Sequence, residues 1–277
     1  MSTTHLVEKN EATIGADASG AQQAGRMRPL AVALPRWCRI AIFATLVVLG
    51  LGIARELVIS AIGTETLLED LRQLALDVEH SLPAWYSSLL MAGCAAMLLT
   101  IARLTARDGG GDVIAWSLLA FVFLAMAMDE SVSFHEVLIT PVRDGLGTSG
   151  LFHFAWVIPG AIGVAVIGCY FLPFLMRLPR RTAVLFAASG AVYVGGALGM
   201  EMIGGAMAEA YGKQSLAYVI AFVVEEGLEM AGLTCFFLAL SDYVIGKPAG
   251  WASLVLAGDP ARRQGSSASP HPDRDIR

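Results

Sequence analysis

Seven carboxylates lie in or at the edge of stretches apolar enough to cross a membrane: Asp129, Glu130, Glu136, Glu201, Glu225, Glu226 and Glu229. A charged side chain at the centre of a bilayer costs about 2.5–3.5 kcal/mol on insertion scales. Seven acids on three different spans, with almost no basic residue at the same depth, are therefore expected to gather around something positive: metal ions, protons in transit or a cationic substrate. On the third span Asp129, Ser133 and Glu136 fall at i, i+4 and i+7, one face of a helix, with Glu130 to one side. On the sixth span Glu225, Glu226 and Glu229 share an arc of about 100° by the same geometry. Glu201 stands alone on the fifth span among Gly195, Gly196, Gly199, Gly204 and Gly205; Gly195 and Gly199 form a G-x-x-x-G pair, the kind that lets neighbouring backbones approach in a bilayer.

His135 and His153 are the histidines placed to join these acids, and His135, Glu136, Ser133 and His153 are expected as additional ligands or supporting groups. A divalent metal ion is the cofactor this donor set implies, with Asp129, Glu130, Glu201, Glu225, Glu226 and Glu229 as candidate ligands. Carboxylates suit Mg or Mn and, with histidine, Fe or Zn. The same set allows a dinuclear site, since bridging carboxylates do not require two histidines. Met126, Met128, Met200, Met202, Met207 and Met230 flank the acids, but methionine is a common core filler and copper is the weaker reading.

The elements that must carry these groups follow from composition. With 277 residues, 56% hydrophobic and 16% charged, and a mean hydropathy of +0.62, the chain is too apolar for an ordinary soluble domain. The net charge of −5 gives no footprint for nucleic acid. Cys38, Cys94, Cys169 and Cys235 fall singly in separate apolar segments and read as small buried hydrophobes. Apolar runs long enough to span ~30 Å occur near 38–60, 84–105, 113–136, 151–177, 182–208 and 216–244. The fold class expected is all-α, a six-helix transmembrane bundle covering 37–246, in a bacterial-type inner or plasma membrane.

Fifteen lysines and arginines fall on the side of the chain ends, against Arg55, Arg72, Arg143 and Lys213 on the other. The positive-inside rule then places both termini in the cytoplasm and the acids in the outer half of the bilayer. Residues 1–36 and 247–277 lack an apolar period and are expected as disordered cytoplasmic segments. Between the first two spans, Leu67, Leu71, Leu74 and Val78 recur at helical spacing opposite Glu69, Arg72, Gln73 and Glu79, and Thr66 with Glu69 fits a capping box. This pattern predicts an external amphipathic helix over 66–80.

The run of Asp129-Glu130 followed by His135-Glu136, then Gly199-Met200-Glu201, then Glu225-Glu226-Gly227-Leu228-Glu229-Met230 resembles an uncharacterised family of bacterial multi-pass membrane proteins. The resemblance covers roughly 115–245 and implies that the acids belong to one site; it carries no activity with it. Two other families fit less well. Glu225-Glu226 is similar to the Glu-Glu-x-x-x-Arg element of CAAX-type intramembrane proteases, but Met230 stands where the arginine belongs. Di-iron carboxylate bundles pair Glu-x-x-His motifs, and here Glu229 replaces the histidine. The leading expectation is a membrane-embedded metal site acting on a lipid-like substrate. The alternative is a cation or proton-coupled transporter using the same acids, and a structural or assembly protein is the least favoured.

Overall fold

A computed structural model describes residues 34–63, 71–247 and 251 of the chain. The described residues form seven α-helices and no strand. Six of them are long and apolar enough to cross a membrane: α1 Arg36–Ile62, α2 Leu82–Arg107, α3 Val113–Val132, α5 Val157–Arg177, α6 Arg180–Tyr211 and α7 Leu216–Ile245. The short α4, Ile139–Leu146, lies in the connection between α3 and α5. The chain is a multi-pass membrane protein, and an even number of spans leaves Arg36 and Ile245 at the same end of the bundle.

Local chemistry sets the helix starts. Ser81 accepts a hydrogen bond from the N–H of Ala84 and is followed by a proline in the first turn of α2; Ser215 does the same for Tyr218 at the head of α7. Each serine satisfies an amide that has no partner within its helix. The larger core lies between α2, α3 and α7 and is centred on Trp116, which is 1% exposed. Around that indole Phe174, Phe186 and Tyr243 pack at ring separations of 4.8, 6.2 and 5.1 Å. A smaller cluster of Leu76, Phe154, Tyr218, Phe222 and Met230 lies towards the opposite end. Phe43, Phe121, Ile162 and Met176 point outward, an apolar surface that suits lipid and would be a liability in water.

The third span is shorter than its apolar run suggests. α3 ends at Val132 because Ser133 takes the left-handed conformation, φ 58° and ψ 41°, with its N–H bonded to the Asp129 carbonyl. The Asp129 carboxylate then folds over the helix end and accepts the N–H of His135 at 3.0 Å. The expected stripe of Asp129, Ser133 and Glu136 on one helix face is therefore broken after its first member. Glu136 opens a separate 3-10 turn, Glu136–Leu138, and the next span starts at Val157 rather than near 151.

The external helix expected over 66–80 does not form where it can be seen. Residues 64–70, including Thr66, Leu67 and Glu69, lie outside the described residues, and 71–80 contain only a 3-10 turn at Arg72–Leu74 followed by irregular backbone. Leu71 is 43% exposed, whereas the adjacent Ala75 and Leu76 are 1% and 2% exposed. Here Leu76 drops onto Gly52 of α1, where a Cβ would stand 2.5 Å from the leucine Cδ2. The segments expected as disordered, 1–36 and 247–277, lie almost wholly outside the described residues.

Candidate functional site

At the end of the bundle away from Arg36 and Ile245, a cavity of about 200 Å³ is walled by residues from α3, α6, α7 and the connections between spans. The broken end of α3 supplies Asp129 and Glu130, and the turn after it supplies His135 and Glu136. α6 adds Glu201, α7 adds Glu225, Glu226 and Glu229, and the dipping linker after α1 brings Asp77 and Glu79. Among the described residues nine carboxylates thus line one space, with Lys213 and His135 as the basic side chains on its wall.

Two local devices aim these groups. Between Gly195 and Met200, α6 widens into a π-helical segment immediately before Glu201; one extra residue in a turn shifts the phase of everything that follows. That shift makes Gly196, not Gly195 or Gly199, a glycine of α6 packed tightly against α7. A Cβ on Gly196 would lie 2.8 Å from the Glu225 carbonyl oxygen and 3.0 Å from the Glu229 Cγ, while Gly195 and Gly199 have nothing within 4 Å. The expected G-x-x-x-G contact is therefore replaced by a closer one, seated on the acids of α7.

His135 is the second device. Its Nδ1 lies 2.7 Å from Asp129 Oδ2 and its Nε2 3.6 Å from Glu79 Oε1. The ring packs against Trp156 at 4.5 Å, and the Trp156 indole N–H donates to Glu201 Oε1 at 2.8 Å. A chain of contacts therefore runs Glu79, His135, Trp156, Glu201, tying the linker to α6. Burial works against charge on His135, but the hydrogen bond to Asp129 and the charges of Asp129, Glu79 and Glu136 outweigh it and hold the imidazole above the usual histidine range. Burial pushes the Glu79 carboxyl up to about 7; His135 opposes this, and repulsion from Glu136, Asp129 and Glu201 adds to it.

The structure brings together Asp129, Glu130, His135, Glu136, Glu201, Glu225, Glu226 and Glu229. It does not bring in two of the expected residues. Ser133 serves as the left-handed stop of α3 and is not on the cavity wall. His153 instead faces Glu209, Nδ1 to Oε2 3.3 Å, because the connection that carries it turns before α5 begins. Of the flanking methionines only Met126 lines the cavity, and Met230 is fully buried in the apolar cluster, which removes the soft-donor set that copper would require. Sequence reasoning missed Glu79, placed on the solvent face of a helix that does not form, and missed Trp156, Tyr193, Tyr218 and Lys213. Among the described residues no group of three or more His, Cys, Asp or Glu side chains closes around a single point as a ready ligand set. The acids face a shared space from its walls.

Residues 39–244 match the model of a family described as a domain of unknown function, DUF8692. The chain belongs to this family. No curated protein and no solved structure matches the chain.

Proposed function

We propose that the cavity binds a hydrated divalent cation and that the protein is an intramembrane metal-dependent enzyme. The observation that carries the reading is the convergence of nine carboxylates from five separate chain segments on a cavity of about 200 Å³. So many acids in a membrane protein are costly unless a cation or protons offset them. The donor set is almost wholly carboxylate oxygen and suits a hard ion such as Mg²⁺ or Mn²⁺. Glu130, Glu201, Glu225, Glu226 and Glu229 would hold it, with Asp129 engaged by His135. When bound, such an ion polarises an oxygen and makes its bound water more acidic.

The chain's own groups complete the site. Trp156 fixes the Glu201 carboxylate through its N–H. Asp129 orients the His135 ring through Nδ1, leaving Nε2 directed at Glu79. Glu79, 3.6 Å from that nitrogen, is the group placed to act as general acid or base of the site. The bias of basic residues towards the end that carries Arg36 and Ile245 orients both termini to the cytoplasm, so the cavity opens to the outer side.

The test is Mn²⁺ binding to the purified protein in a mild detergent, followed by electron paramagnetic resonance. Glu226→Gln and Glu201→Gln should each weaken binding by at least about tenfold, the smaller end of losses seen around metal sites. A wild type that binds no Mn²⁺ or Mg²⁺, or two variants that bind as it does, overturns the reading. Proteoliposomes that move a cation at a rate abolished by Glu225→Gln would establish a transporter instead.

A further inference from the structure

A second cavity, of about 330 Å³, lies between α3, α5, α6 and α7, and only two residues, Met126 and Tyr193, belong to the walls of both cavities. Its lining is hydrocarbon and aromatic almost throughout, with Phe123, Ile167, Phe171 and Leu233 among the walls. The one other hydroxyl, on Ser189, is bonded to the Leu185 carbonyl of its own helix at 2.8 Å. Nothing there invites water.

The way α5 is attached explains the space. Only Val157 and Phe174 of this helix are buried. Near its first turn, Gly160 lies against α6, where a Cβ would be 3.1 Å from Leu198 Cδ2, and near its other end Phe174 meets Trp116 edge-on at 4.8 Å. Between these pins Gly163 and Gly168 have nothing within 4 Å, nor has Gly190 on the facing side. The result is a slot closed at one end by aromatic rings and bounded at the other by Tyr193, which also stands on the wall of the acid cavity. All four walls are membrane spans. From Val164 to Leu175 it follows α5 for roughly 16 Å at 1.5 Å per residue. Another helix, 10–12 Å across with its side chains, cannot enter between helices pinned in this way, whereas a single extended hydrocarbon chain can. An apolar void in a membrane protein is dry and loses dispersion contacts until hydrocarbon fills it.

We propose that the slot holds an acyl chain of a bilayer lipid whose polar end passes Met126 and Tyr193 into the acid cavity, so that the substrate reaches the site from within the membrane. This rests on the acid cavity being the functional centre. It deepens that reading by making the substrate a lipid with one chain threaded between α5 and the rest of the bundle. Tyr193 stands at the junction, on the walls of both cavities.

The experiment uses the full chain in detergent with an equimolar phosphatidylcholine that carries a diazirine midway along one acyl chain. After irradiation, adducts are mapped by mass spectrometry. Adducts should concentrate on slot residues such as Ile167, Ala187 and Gly190 by about tenfold over the outward-facing Phe43 and Leu46, the ratio that about 1.4 kcal/mol of added dispersion contact in the slot would give. Gly190→Trp and Gly168→Trp fill the slot from opposite walls, and each should abolish the preference; either one alone suffices if the other does not elute as folded protein. Adducts spread evenly over slot and outward faces overturn the proposal. So do adducts that persist in the folded tryptophan variants, or slot residues that stay unlabelled in a protein that elutes as a dimer. Mn²⁺ binding measured on the same samples separates the two readings. Slot adducts without cation binding refute the metal centre alone, and cation binding without slot adducts refutes the lipid slot alone.

Discussion

Gly196→Ala should destabilise the protein, while the same change at Gly195 or Gly199 should stabilise it. At Gly196 the new methyl would stand 2.8 Å from the Glu225 carbonyl oxygen, 3.0 Å from the Glu229 Cγ and 3.1 Å from the Glu229 amide nitrogen. Relaxed non-bonded contacts lie at about 3.5–4.0 Å, so α6 and α7 must part by roughly half an ångström or more at the level of the acids. Backbone atoms cannot swing aside as a side-chain end would. Overpacking of this kind costs about 1–3 kcal/mol, offset by the ~0.5–1 kcal/mol that alanine gains over glycine within a helix. The net loss expected is about 1 kcal/mol at the middle of these ranges. Gly195 and Gly199 have no neighbour within 4 Å and should show only the gain of ~0.5–1 kcal/mol. The assay is unfolding in a mild detergent followed by far-ultraviolet circular dichroism for the three variants beside the wild type. A neutral or stabilising Gly196→Ala, or a Gly199→Ala as damaging as Gly196→Ala, would refute the π-shifted contact and restore the G-x-x-x-G reading.

Two further outcomes follow from the linker. Glu79 is held at about 7 against an ordinary 4.5, so between those values the folded protein keeps a proton that the unfolded chain has released. Stability should therefore fall as pH rises through that window, by up to about 1.4 kcal/mol per pH unit for one such group. His135, held above its usual range, adds a loss in the same direction as pH rises through its folded value. Unfolding midpoints between pH 4.5 and 7.5 check this, and an equal slope in Glu79→Gln would show that the carboxyl is not the cause. Leu76→Ala removes a side chain that is 2% exposed and seated on Gly52, at a cost of about 2–5 kcal/mol for a buried leucine. Because that residue pins a linker, the loss should appear as faster amide exchange over 71–81 with α2 and α7 still protected; unchanged exchange in 71–81 would mean that Leu76 is not the anchor.

How far the site could be read in advance depended on whether one element or several had to cooperate. The six spans follow from runs of apolar side chains, a signal that each segment carries alone. Glu225, Glu226 and Glu229 were legible for the same reason, since α7 is continuous through them and 3.6-residue periodicity places them on one side. Ser133 and Glu136 were misplaced because periodicity assumes the helix goes on. Whether it does depends on a single serine at φ 58° and on Asp129 bonding two residues past it, neither of which alters the apolar count. The glycines of α6 failed in the same way, as the extra residue of a π turn rotates the face that i, i+4 counting selects.

Glu79 illustrates a different limit. Its flanking residues carry a helical pattern good enough to assign, and local propensity alone would place this carboxylate in water. What decides otherwise is a contact between Leu76 and Gly52, twenty-four positions apart in the numbering, that draws the linker down into the mouth of the bundle. Local and tertiary preferences conflict there, and such conflicts concentrate where a chain has something other than stability to serve. The group exposed to the conflict is the one titrating near neutrality and facing His135 Nε2. The linker therefore gives up a helix and sets the Glu79 carboxyl opposite the acids carried by the membrane spans.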